Sequence, residues 1–134
     1  MPAPIAIVYE NCAPLAPLFD AFCDAARQAG RTVPFSRPVP PSADDRARPD
    51  VYVASFGEGD FYVLRPGGRP ACASDLFLPG LLDDRRDPTP AGYYFCACLL
   101  YAAVTGESPV GIPFCGPLSE EDAALWQQTA ALVL

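Results

Sequence analysis

Residues 5–30 read IAIVYENCAPLAPLFDAFCDAARQAG and join two different hydrophobic patterns. The first five form a continuous apolar run, which is typical of a strand covered on both faces of a sheet. Apolar residues then recur at spacings of three and four between Leu15 and Ala26, and Gly30 follows where a helix would end. This order of strand, turn and helix predicts an α/β fold with a parallel sheet.

Further elements continue this pattern along the chain. Short strands are predicted at 32–35, 50–56 and 61–64, with a proline-rich surface loop at 37–49 and a glycine-rich turn at 57–60. The length fits a single domain over residues 1–134. We expect a small three-layer, flavodoxin-like sheet that is mostly parallel, with helices on both faces.

One predicted helix has no polar side. Thr89 and Pro90 supply an N-cap and a first-turn proline, and Gly106 closes the helix near Val104. The helix is apolar all round but falls short of the roughly 20 apolar residues that a bilayer crossing needs. We therefore expect no membrane partner, and a helix placed either at the centre of the core or in a dimer. A last helix is predicted after Ser119, where a capping-box pattern begins.

Composition excludes several classes of function. The chain has no histidine and no lysine, and its net charge is -7. An imidazole base is therefore impossible, and nucleic-acid binding is not expected because nine scattered arginines do not make a clustered basic face. No export signal is recognised at the start of the sequence, so we expect a cytoplasmic protein with free thiols. The six cysteines show no Cys-x-x-Cys spacing, and we expect no metal and no cofactor.

The late part of the chain carries a familiar pattern. Residues 84–94 read DRRDPTPAGYY, and LYAA at 100–103 and GESPVG at 106–111 follow. These runs resemble the late segment of the SGNH (GDSL-like) hydrolases, in which an Asp-x-x-His-Pro motif precedes a Gly-Tyr helix. Residues 118–133 are similar to the last helix of one branch of that family, and residues 5–30 to its first strand, nucleophile turn and first helix.

The resemblance implies where a catalytic site would lie, and also that it is degenerate. Cys12, in Glu-Asn-Cys, stands where the family has its nucleophilic serine in a Gly-x-Ser type turn. The family's aspartate carries over to Asp84 and its histidine to Asp87, a carboxylate that is a far weaker base than imidazole. The central blocks that supply the family's oxyanion donors have no counterpart. The resemblance thus implies a truncated SGNH-like domain that has lost hydrolysis.

Two functions remain open from the sequence. The first is a non-catalytic binding or scaffolding protein, expected as a homodimer and with a small acyl compound as its ligand. The second is a small acyl-ester or thioester hydrolase in which Cys12 is the nucleophile and Asp84 or Asp87 orients substrate or water. Glu10 and the neighbouring aspartates weigh against the second, because they favour the protonated thiol.

A hard-cation site on the aspartates of the 83–87 run is a further interpretation. Arg85 and Arg86 interrupt that run. We therefore predict a solvated loop with local ion pairs instead.

Overall fold

The computed structural model describes residues 4–76 and 78–133. In chain order the elements are β1 (Ile5–Glu10), α1 (Leu15–Gln28), β2 (Ser36–Pro38), a 3-10 turn (Asp45–Ala47), β3 (Val51–Gly57), β4 (Asp60–Leu64), β5 (Pro70–Asp75), α2 (Pro90–Thr105) and α3 (Glu120–Val133). The predicted α/β class is confirmed.

The five strands form one mixed sheet in the order β2-β1-β3-β4-β5. β1 runs parallel to β2 and β3, whereas β3, β4 and β5 form an antiparallel meander. The predicted turn at 57–60 is the hairpin between β3 and β4, in which Glu58 and Gly59 have φ angles of 54° and 85°. Such left-handed pairs are favoured in two-residue hairpins. Because two of the four pairings are antiparallel, a mostly parallel sheet is not confirmed.

All three helices pack on the same face of this sheet. Their buried side chains share one core with Ile7, Ala54 and Phe61. The alternate strand residues, among them Val8 and Val53, form a smaller cluster without helical side chains. Since successive strand residues point to opposite faces, this cluster lies on the other side of the sheet. The expected three layers with helices on both faces are therefore not found in the described residues.

The second face is covered by the loop between β2 and β3. Val39 packs against the smaller cluster, and the Arg46 guanidinium pairs with Glu10 at 3.1 Å. Within the loop, the Asp45 carboxylate accepts hydrogen bonds from the backbone N–H and the hydroxyl of Ser42 at 2.8 and 2.9 Å. These bonds satisfy polar groups that an irregular covering segment would otherwise leave unpaired.

The apolar helix α2 lies at the centre of the core. Its residues 94–102 are all buried, and it packs between α1 and α3. The predicted ends are confirmed, since the Thr89 hydroxyl accepts from the Gly92 N–H at 3.1 Å and Gly106 adopts a left-handed φ of 73°. In the described part of the chain, no helix has the length and apolarity that crossing a lipid bilayer requires.

One predicted strand is wrong, and one observed strand was not predicted. Residues 32–35 are not a strand, because the carbonyls of Val33 and Pro34 accept hydrogen bonds from the Arg27 guanidinium at 3.3 and 3.0 Å. The strand beside β1 therefore begins at Ser36, which lies opposite Ile5 and one residue after the predicted strand ends. No strand is predicted for β5, because the sequence Pro-Ala-Cys-Ala-Ser-Asp is poor in the β-branched and aromatic residues that favour strands.

Gly92 marks a close approach between the start of α2 and the segment before it. A Cβ at this position would lie 2.2 Å from the Leu81 carbonyl oxygen, and that carbonyl already accepts a hydrogen bond from the Thr89 N–H. We expect Gly92→Ala to lower the free energy of unfolding by about 3 kcal/mol, because backbone must shift to admit the methyl group. Urea denaturation measures this, with Gly57→Ala as control, since a Cβ at Gly57 meets nothing within 4 Å. Equal stability of the two variants would contradict the packing described.

Candidate functional site at the carboxyl ends of β1 and β3

The parallel pair β1 and β3 creates a natural position for a binding site. From β1 the chain passes through α1 to β2 on one side, while β3 lies on the other side of β1. Ligands of α/β proteins bind outside the carboxyl ends of strands at such a reversal of strand order. Glu10 pairs with Ser55 at this point. Asn11 and Cys12, which follow β1, therefore lie at the same edge of the sheet as Gly57, which ends β3.

A surface cleft of about 620 Å³ opens beside this edge. It is lined by one aromatic residue, three acidic residues and two arginines, namely Phe56, Glu58, Asp60, Arg85, Arg86 and Asp87. Phe56 is buried and forms part of the core, whereas the charged residues are exposed at the mouth. The cleft thus offers both cationic and anionic groups to a small polar ligand.

The arginine-bearing wall is a tight loop held by Asp83. The Asp83 carboxylate accepts hydrogen bonds from the N–H groups of Arg85 and Asp87 at 2.9 and 3.0 Å, and the Asp83 N–H donates to the Asp87 carbonyl at 2.9 Å. Arg86 has a φ of 65° within this loop. The loop is therefore shaped by its own hydrogen bonds and presents Asp87 to the cleft, while Asp84 is exposed and does not line it.

Three residues other than glycine have positive φ angles in the described chain, and all three border this site. They are Asn11 after β1, Glu58 in the β3–β4 hairpin, and Arg86. Asparagine tolerates a positive φ, and the two-residue hairpin requires one at Glu58. An arginine adopts a positive φ rarely. Such conformations concentrate where a structure holds groups in fixed positions for binding.

Cys12 lies at the end of β1 but does not open into the cleft. Its exposed fraction is 0%, and its thiol donates a hydrogen bond to the Ala54 carbonyl of β3 at 3.2 Å. Burial, and then the charge of Glu10, raise the pKa of this thiol to about 12. The Cys12 sulfur is therefore protonated near neutral pH and turned toward the backbone.

Of the three residues that the resemblance marks, two influence the pKa of the same tyrosine. Tyr93, in the first turn of α2, has a raised pKa, first because of its burial and then because of the charges of Cys12, Cys96 and Asp87. Ionised Cys12 and Asp87 thus both raise the pKa of Tyr93, whereas Asp84 does not contribute. The sequence predicts that the aromatic residues of the helix at 93–101 pack in the core, with the lining of a ligand pocket as the alternative, and the SGNH resemblance includes Tyr93 in its Gly-Tyr pattern.

The remaining lining residues appear in the sequence in other roles. Glu58 and Asp60 belong to the 57–60 run, which predicts a turn, and the two arginines belong to a loop predicted as solvated. No group of three metal-ligating side chains converges within residues 4–76 and 78–133. Comparison with protein-family models, with curated proteins and with solved structures gave no significant match.

Because the pKa of the Cys12 thiol is raised, the free energy of unfolding depends on pH in the alkaline range. The unfolded Cys12 thiol loses its proton above its ordinary pKa near 9, whereas the folded one keeps it to about pH 12. The folded state then binds more protons, so Cys12 lowers stability by about 1.4 kcal/mol for each pH unit across this range. We expect Cys12→Ser, which cannot ionise but keeps a donor for Ala54, to show a slope shallower by that amount in urea denaturation at several pH values. Identical slopes would mean that the folded thiol ionises normally.

Proposed function

We propose that this protein is a non-catalytic binding protein on a shortened SGNH-type framework, and that it holds a small acyl carboxylate in the cleft at the carboxyl ends of β1 and β3. The proposal assigns the cleft residues to binding and assigns Cys12 to packing. The charged residues of the cleft support the first assignment, and the burial of Cys12 supports the second.

The burial of Cys12 carries the non-catalytic part. A cysteine nucleophile must be accessible and must be a thiolate. The Cys12 thiol is neither, since it has no exposed surface, its pKa is raised to about 12, and its proton is donated to the Ala54 carbonyl. No histidine exists in the chain to withdraw that proton, and Asp87 is a carboxylate.

The arginines and the aromatic residue of the cleft support a ligand that has both a carboxylate and a short apolar part. Guanidinium groups bind carboxylates through paired hydrogen bonds, and the cleft presents Arg85 and Arg86 on one wall. Phe56, which is buried, places an aromatic side chain at the inner side of the cleft. A short acyl carboxylate combines a group that these arginines bind with an apolar part that contacts Phe56.

Hydrolysis assays test the non-catalytic assignment. We expect the protein to hydrolyse a short-chain p-nitrophenyl ester and its thioester analogue no faster than buffer, with Cys12→Ala behaving identically. Cys115→Ala is the matched control, because Cys115 is half-buried in the segment between α2 and α3 and is not part of the cleft. Activity that disappears in Cys12→Ala and persists in Cys115→Ala would make the protein a cysteine hydrolase.

Binding to the cleft is tested by titrating the protein with hexanoate while recording backbone amide spectra. We expect shifts at Glu58 and at residues 85–87, and roughly tenfold weaker binding in Arg85→Ala because a charge-assisted hydrogen bond is lost. Arg37→Ala is the control, as Arg37 lies on β2 at the far edge of the sheet. Hexanol should leave these amides unchanged. Shifts that Arg85→Ala leaves intact, or none at all, would refute this ligand assignment.

A further inference from the structure

The outer strand β5 forms one edge of the sheet, and only its end residues, Pro70 and Asp75, are of the kinds that protect an edge. β5 is the last strand in the sheet order, and its central residues Ala71–Ser74 carry no charge. Proteins usually protect such edges with charges, proline or short strands. The opposite edge follows that rule, since β2 has three residues and two of them are Arg37 and Pro38.

Backbone hydrogen-bonding groups of β5 point away from the sheet. The Leu76 N–H donates to the Gly59 carbonyl at 2.8 Å, directed toward the β4 side. Because residues alternate along an antiparallel pair, Ser74 faces β4 as well, while Ala73 and Asp75 direct their N–H and C=O groups outward. The two Ala73 groups and the Asp75 N–H are available to an added strand, whereas the Asp75 carbonyl already accepts a hydrogen bond from the Ser74 hydroxyl at 2.9 Å.

The two ends of β5 carry opposite charges. Arg65 and Arg69 lie at the start of the strand, where the Arg65 N–H donates to the Arg69 carbonyl at 2.7 Å. Asp60 and Asp75 face each other at its end, an arrangement of like charges that is unfavourable in a sheet. All four side chains are exposed, and none forms an ion pair within the described ranges.

An apolar groove adjoins the same edge. It has a volume of about 450 Å³ and runs along β4 and β5, where Tyr62, Leu64, Pro70 and Ala73 contribute to its lining. Tyr62 and Leu64 point away from the helix-covered face. The β2–β3 loop reaches this part of the sheet, where the Arg46 guanidinium lies over the Tyr62 ring and the Gly67 N–H donates to the Arg48 carbonyl at 2.7 Å. Apolar surface next to unpaired backbone is the combination that strand addition buries.

We propose that β5 pairs antiparallel with β5 of a second copy of this chain, which joins the two sheets into one of ten strands. In this direction Arg69 of each copy meets the partner's Asp75, and the repulsion between Asp60 and Asp75 is relieved. A parallel pairing would instead place like charges together. A twofold axis relates the two copies, so the contact between Arg69 and Asp75 forms at both ends of the paired strands, as a self-complementary interface requires. The contact is short, so we expect association to depend on concentration.

Charge reversal tests the interface. Sedimentation of the wild-type chain should show a dimer at concentrations on the order of 100 µM and dissociation on dilution. Arg69→Glu and Asp75→Arg should each weaken the dimer at least tenfold, because each places like charges opposite one another. Mixing the two variants should restore a dimer, since every pair across the strands is then of opposite sign. Arg37→Glu changes the net charge equally at the far edge and should leave association unchanged.

Hydrogen exchange at Ala73 locates the contact. Its amide should exchange more slowly as the protein concentration rises, while it exchanges freely in Arg69→Glu. The proposal is overturned by a wild-type chain that stays monomeric, by a dimer that Arg37→Glu weakens as much as Arg69→Glu does, or by a dimer that leaves exchange at Ala73 unaffected.

Discussion

The architecture depends on one constraint, which is that α2 has no charged residue and must be covered on every side. Sixteen residues from Pro90 to Thr105 contain no charged side chain, and those from 94 to 102 are buried. Burying such a helix takes the sheet on one side and a helix on each flank. α1 and α3 take the flanking positions, so every helix lies on one face. The opposite face is left to the β2–β3 loop and its internal hydrogen bonds.

Elements with a strong local pattern could be predicted from the sequence. β1, α1, α2 and α3 each carry a clear local pattern, α2 and α3 also carry N-cap side chains, and the structure has all four near the predicted bounds. Strand direction was harder to predict, because the 57–60 turn reverses the chain and makes half of the sheet antiparallel. β5 lacks strand-forming residues and exists because β4 offers it a partner. Burial and pairing decided these parts, and neither is visible in a local window.

The same limit applies to the candidate site. The late motif and the first strand together indicated the neighbourhood of Cys12 and Asp87, and the charges of both raise the pKa of Tyr93. The state of the Cys12 thiol could not be read from its neighbours in sequence, because its hydrogen-bond acceptor, Ala54, belongs to a different strand. The cleft residues of the β3–β4 hairpin meet the 83–87 loop only through the tertiary fold. The sequence thus indicated a neighbourhood of the fold, and packing decided the burial and protonation of Cys12 within it.

Burial of the thiols also governs how the molecule responds to acidity. Histidine is absent, and the pKa values of Cys12, Cys23 and Cys72 are raised to about 11 or 12. These buried thiols therefore keep their protons across the neutral range. No imidazole is present in the sequence to titrate there in their place.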